Sequence, residues 1–158
     1  NWDNGQNMPL RRYKDNVHEG GACVPWISHW PQGLIPPVGS ITTQRGHMVD
    51  ILATCIELAG ASYPASFNGQ SILPNEGRSL LASIQGGKQD LQRAYYFKHA
   101  GTHAVIKGDW KIVREGAEKE PWHLYKLARE KTELTDHAQH MPEKVKELAA
   151  LWESRFGS

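Results

Sequence analysis

Carboxylate, amide, amine and glycine crowd into the first twenty-one residues of the chain: Asp3-Asn4-Gly5, then Pro9-Leu10-Arg11-Arg12-Tyr13-Lys14, then Glu19-Gly20-Gly21. Adjacent Asp3 and Asn4 oxygens are hard donors suited to Ca²⁺ or Mg²⁺. Lys14 offers an anion a compact positive charge. The glycines permit positive φ and a close backbone approach to a ligand. The same Asp-Asn-Gly run is also ordinary turn chemistry, so the residues alone leave a ligand site and a turn both open.

Other chemistries fit less well. The eight histidines, His18, His29, His47, His99, His103, His123, His137 and His140, show neither the H-E-x-x-H pattern nor His/Cys zinc spacing. Surface or packing roles are expected for most of them. No G-x-S-x-G elbow, Walker loop or dinucleotide-binding glycine pattern occurs, which argues against serine hydrolases, P-loop enzymes and nicotinamide enzymes. Cys23 and Cys55 are too few for a disulfide framework and do not form a C-x-x-C pair.

The elements that must position these groups follow from periodicity. Val24 to Pro31 alternates apolar residues between prolines and predicts a short strand. Apolar residues at helical spacing predict a helix from His47 to Ala59, with Gly60 placed to end it. Residues 63–87 read as a meandering connection, with Asn68-Gly69 and Gly86-Gly87 among its turns and a helical piece near Ser79–Ile84. Arg93–His99 and His103–Arg114 are strand-like, the latter folding as a hairpin about Lys107-Gly108-Asp109, and Trp122–Leu127 adds another strand. Val145, Leu148, Ala149, Trp152 and Phe156 give the segment Pro142–Phe156 one apolar helical face. Trp110, Trp122 and Trp152 are expected in the core rather than on a sugar-stacking platform.

Composition bounds the answer. The 158 residues are 39% hydrophobic, so a packed core is within reach. The net charge is 18 − 17 = +1, which supplies no global field for nucleic acid or an anionic membrane, and neither is expected as a partner. No window approaches the roughly 18 apolar residues of a membrane span. Asn1-Trp2-Asp3 has no signal-peptide character and no initiator Met, so a fragment of a longer protein is expected.

The motifs, taken in order, resemble the type I sulfatase (arylsulfatase) family. The likeness begins at Asp3-Asn4-Gly5, Pro9-Leu10-Arg11-x-x-Lys14 and Glu19-Gly20-Gly21-x-x-Val24-Pro25 with Trp30-Pro31. It continues through His47-x-x-Asp50-Ile51-x-x-Thr54, Leu58-Ala59-Gly60-Ala61 and Glu76-Gly77-Arg78-Ser79-Leu80. It closes with Ala104-Val105-x-x-Gly108-Asp109-Trp110-Lys111, Leu124-Tyr125-x-Leu127 and Glu133-Leu134. The resemblance thus spans nearly the whole chain, as a C-terminal portion of the family.

It implies that Asp3 and Asn4 help bind a Ca²⁺ ion and that Lys14 contacts the sulfate ester; for His99 the residues leave open both donation to a substrate hydroxyl or sulfate oxygen and a packed or solvated role. Glu19-Gly20-Gly21 is expected to shape the loop carrying Lys14. The implied fold is α+β: the end of an α/β catalytic core in 1–62, a connector in 63–92, and a small domain in 93–158 whose antiparallel sheet packs on a C-terminal helix. The implied nucleophile is a formylglycine made within C/S-x-P/A-x-R, which this chain lacks. Cys23-Val24-Pro25-Trp26-Ile27 fails at its fifth position. The chain alone is therefore expected to be inactive, its partners being an upstream catalytic domain and a sulfated small molecule or glycan, in a periplasmic or secreted setting.

Two departures from the family stand out. Cys23 replaces a usual Arg, and His99-Ala100-Gly101-Thr102-His103 stands where H-E-G-N-R is common, which leaves specificity open. Alternatives are a phosphoester or phosphonate hydrolase on the same alkaline phosphatase superfamily scaffold, and a non-catalytic binding module decayed from an enzyme.

Overall fold

A computed structural model describes residues 5, 7–35, 37, 39–88, 90, 92–116 and 119–157. The chain divides into two units, Asn1–Pro25 with Leu91–Ser158, and Trp26–Asp90. The stretch up to Pro25 groups with the C-terminal sheet rather than with the residues that follow it, and the return to that unit at Leu91 lies beside the expected boundary at 92.

In the first unit, β3 (Ala94–His99), β4 (Thr102–Lys107), β5 (Trp110–Glu115) and β6 (His123–Lys126) form a four-stranded antiparallel sheet in the order β3-β4-β5-β6. Two-residue loops set its register. Gly108 takes a positive φ between Lys107 and Trp110, and Ala100 and Gly101 both take positive φ between His99 and Thr102. Such mirror-image turns match the twist of the flanking strands.

Alternation along each strand separates two faces. Val105, Ile112 and Leu124 turn toward the C-terminal helix Pro142–Phe156 and meet its Leu148 and Trp152 in one core cluster. Pro142 in the first turn starts that helix as anticipated, and Gly157 follows its last residue. Trp152 is buried, while Trp110 and Trp122 are partly buried against the same cluster, in keeping with the expected packing role. On the other face Ala104, Val113 and Tyr125 close around Val17. The sheet is therefore covered on both sides, by the helix and by the segment near residue 17.

That segment runs irregularly from Leu10 to Asn16 and ends in α1 (Glu19–Ala22), a single turn that the sequence reading did not anticipate. The fold is thus α+β, an antiparallel sheet packed on a C-terminal helix.

The second unit holds α2 (Val49–Leu58), the hairpin β1 (Ser66–Phe67) and β2 (Gln70–Ser71), and α3 (Leu81–Ile84). The C-terminal helix of the first unit is then α4. The buried Asp50 carboxylate accepts from the amides of His47 at 2.8 Å and Arg78 at 2.9 Å. Thr54 Oγ1 donates to the Asp50 carbonyl and accepts from the Leu80 amide. These bonds join the His47-x-x-Asp50-x-x-x-Thr54 motif to Gly77-Arg78-Ser79-Leu80. Gly77 fits there because a Cβ would lie 2.0 Å from the Val49 carbonyl oxygen.

The expected strand at Val24–Pro31 does not form. Pro25 and Pro31 lack amide donors, and among the described residues no strand runs alongside to build a ladder. Alternation without a partner leaves side chains outside, and Trp26, Ile27, Ile35 and Ile41 are exposed. Among the described residues no helix is long and apolar enough to cross a membrane.

Candidate functional site: a lysine turn tied to the sheet

Lys14 is exposed on a turn between Arg12 and Asp15, whose φ values are +66° and +68°. L-residues enter that region at a cost of roughly 1–2 kcal/mol each, so the surrounding bonds must offset it. They do so through charges that the sheet projects. Period-two alternation puts Lys111, Val113 and Glu115 of β5 on the face opposite α4, beneath residues 11–21.

Lys111 and Glu133 are fully buried at 0% exposure. Lys111 Nζ lies 2.7 Å from Glu19 Oε1 and 3.0 Å from Glu133 Oε1. Glu133 Oε2 accepts from the Glu19 amide at 2.7 Å and sits 3.0 Å from His18 Nδ1. Burial by itself raises the pKa of Glu133, but the His18 hydrogen bond, the Lys111 charge and the Glu19 amide together hold it below the ordinary carboxylate value. The ionised form is therefore the stable one, and its four-group connection keeps the buried charges paired.

Arg11 anchors the start of the turn, donating to Tyr125 Oη at 3.2 Å and to the Glu133 carbonyl at 3.1 Å. The Gly20 amide closes back on the Arg11 carbonyl at 2.8 Å. Both glycines of the Glu-Gly-Gly run are needed for this approach. A Cβ on Gly20 would fall 2.1 Å from the Arg12 carbonyl oxygen, and one on Gly21 2.1 Å from that of Asn16. The expectation that Glu19-Gly20-Gly21 shapes the Lys14 loop thus has a geometric basis.

At the outer edge Glu115 takes a bidentate pair from Arg12, both bonds at 3.2 Å, and a bond from Asn16 Nδ2 at 3.0 Å. Desolvation works against its ionisation, but the Asn16 and Arg12 bonds prevail and hold its pKa below the ordinary value.

His99, at the end of β3, brings Nε2 to 3.4 Å from Asp15 Oδ1. This long contact places two sequence candidates, Lys14 and His99, at one turn. Asp3 and Asn4 lie outside the described residues. Among the described residues no group of three or more His, Cys, Asp or Glu could hold a metal ion.

The two departures from the family resolve differently. His103 is buried on the α4 side, its ring 4.8 Å from that of Trp152, so it packs away from the Lys14 turn. Loss of solvent and the Glu19 carboxylate both push the Cys23 thiol pKa up, which leaves it a thiol rather than a reactive thiolate near neutral pH. Sequence reasoning missed Arg12, Asn16, His18, Lys111, Glu115 and Glu133. The available signal was two charges, Lys111 and Glu115, in step with Val113 on one strand face.

The α+β fold is shared with a known structure. That of Ps i-CgsB superposes with a TM-score of 0.77 over 94% of this chain and 32% of that one, at 22% identity. No protein-family model matches the chain. In sequence, an uncharacterized sulfatase of Schizosaccharomyces pombe is 29% identical over 157 residues, 96% of this chain and 28% of that protein. Arylsulfatase K of Xenopus laevis is 28% identical over 86% of this chain and 26% of its own length. The chain is thus similar to these sulfatases over most of its own length. It spans about a quarter to a third of the length of these relatives.

Proposed function

We propose that the chain forms part of a sulfate ester hydrolase whose nucleophile is supplied by an upstream catalytic domain. The observation that supports this reading is Lys14. It is exposed on a turn held by buried ion pairs, in a chain that follows a sulfatase through 96% of its length.

Sulfuryl transfer builds negative charge on the sulfate oxygens and on the departing oxygen. A lysine ammonium held in place beforehand stabilises that charge without reorganising during the reaction. Lys14 fills this role by binding and orienting the sulfate group, and His99, steered by Asp15, hydrogen-bonds a neighbouring oxygen of the substrate. Asp3 and Asn4 would contribute to a Ca²⁺ site, where the ion would supply Lewis-acid charge stabilisation. With no C/S-x-P/A-x-R motif in the 158 residues, the chain by itself is inactive.

A sulfated glycan is the favoured substrate class. Ps i-CgsB, which shares the fold, has been solved with k-i-k-neocarrahexaose. A periplasmic or secreted location follows from the same reading.

The test is hydrolysis of a chromogenic aryl sulfate, a sulfated oligosaccharide and a phosphate monoester by the full-length protein and its Lys14→Ala variant. A loss of roughly 100-fold in kcat/KM on sulfate esters is expected, the scale of one lost oxyanion contact. Preference for the phosphate ester, or unchanged sulfate turnover in the variant, would overturn the reading.

A further inference from the structure

We infer that Glu115 is a positioning residue for Lys14, acting through Arg12 and Asn16. The inference rests on the reading of Lys14 as the sulfate contact.

Arg12 and Asn16 flank the stretch Tyr13-Lys14-Asp15, and one carboxylate holds both ends. Glu115 Oε1 and Oε2 engage the two arms of the Arg12 guanidinium, and Oε1 also accepts from Asn16. Asn16 in turn uses Oδ1 to accept the His18 amide at 3.0 Å, linking the clamp to the buried pairs beneath. An exposed ion pair standing alone contributes little. This carboxylate differs in having a bidentate partner and a third donor, and it projects from the end of a strand, so the donors converge on a fixed point.

Lys14 takes no part in these bonds. A flexible four-carbon stem has no preferred direction of its own, so the backbone around it sets where the ammonium points. That backbone carries positive φ at Arg12 and Asp15, a shape the chain would leave if its flanks were released. Glu115 thus converts the rigidity of β5 into the aim of a side chain it does not touch.

The test compares wild type, Lys14→Ala, Glu115→Gln and the double variant in the full-length protein, with a chromogenic aryl sulfate as probe. Glu115→Gln should lower kcat/KM about tenfold, mostly through kcat, with the thermal midpoint little changed. In the Lys14→Ala background the same substitution should have no further effect, because coupled residues are not additive. Amide exchange at residues 13–17 should accelerate in Glu115→Gln.

An equal fold-loss in both backgrounds, or full activity of Glu115→Gln where Lys14→Ala is impaired, would overturn the positioning role while leaving Lys14 as the contact. Full activity of Lys14→Ala would remove the underlying reading and this inference with it. If the double variant falls below detection, unchanged exchange at 13–17 in Glu115→Gln is decisive against it.

Discussion

Residues 11–18, with the single turn of α1 that follows them, and the described residues of 26–47 are both largely irregular, Gly- or Pro-punctuated stretches, yet their surroundings differ sharply. The first is sewn to a sheet by buried charges, with Val17, His18 and Glu19 all buried. The second leaves Ile27 at 88% and Ile41 at 95% exposure. Lack of regular secondary structure therefore says nothing about how firmly a segment is held. What decides it is whether its polar groups and side chains meet fixed partners, and in this molecule β5 provides those partners for the first stretch.

The contrast can be broken most forcefully at Lys111. Lys111→Met leaves the Glu19 and Glu133 carboxylates buried without their shared cation, and a loss of about 3–5 kcal/mol is expected by urea denaturation. A loss below about 1 kcal/mol would mean that water already reaches the pair.

Gly20→Ala comes next. Its Cβ cannot coexist with the Arg12 carbonyl, so the turn must shift, at roughly 1–3 kcal/mol as judged from other overpacked sites. A crystal structure of the variant should show residues 11–13 displaced and the sheet unchanged.

Acid should loosen the first stretch selectively. Glu133 has a native pKa below its ordinary 4.5, so the unfolded chain binds the proton more readily and stability rises with pH through this range. The contribution is complete above about 4.5 and lost as pH falls through the depressed native value. Glu115 shifts in the same direction. Amide exchange followed from pH 6 to pH 3 should show residues 11–21 released before α4; simultaneous release would count against a separately held segment.

The smallest effect belongs to the other stretch. Ile41→Ser should change stability by less than about 0.5 kcal/mol, because the side chain is already in solvent. Light scattering should show weaker self-association with Ile27→Ser and Ile41→Ser together, since exposed apolar groups favour association.

These differences explain what the sequence disclosed. Pro142–Phe156 was legible to the residue, because fifteen positions of helical periodicity and a Pro at the first turn all agree. Gly108-Asp109 was legible as a turn, since a two-residue loop between β-branched runs has few solutions. Val24–Pro31 misled because alternation declares a strand without supplying its neighbour. The charge network beneath Lys14 was hidden for another reason: Lys111 and Glu19 stand 92 residues apart, and no local pattern records such a pairing. Lys14 and His99 were reached through family resemblance, and the Asp15 contact that brings them to one turn had no sequence signal.

The Glu19 amide binds a carboxylate 114 residues further along the chain. At roughly 5–20 residues per second of synthesis, the segment bearing Lys14 waits about 6–23 s on the ribosome before its last anchor exists. It is made early and secured late. Nascent chains halted short of Glu133 are accordingly expected to be cut by protease within residues 11–21, and chains released whole to resist. The timing of assembly, and not only its end point, is written into the choice of a distant carboxylate as the lock.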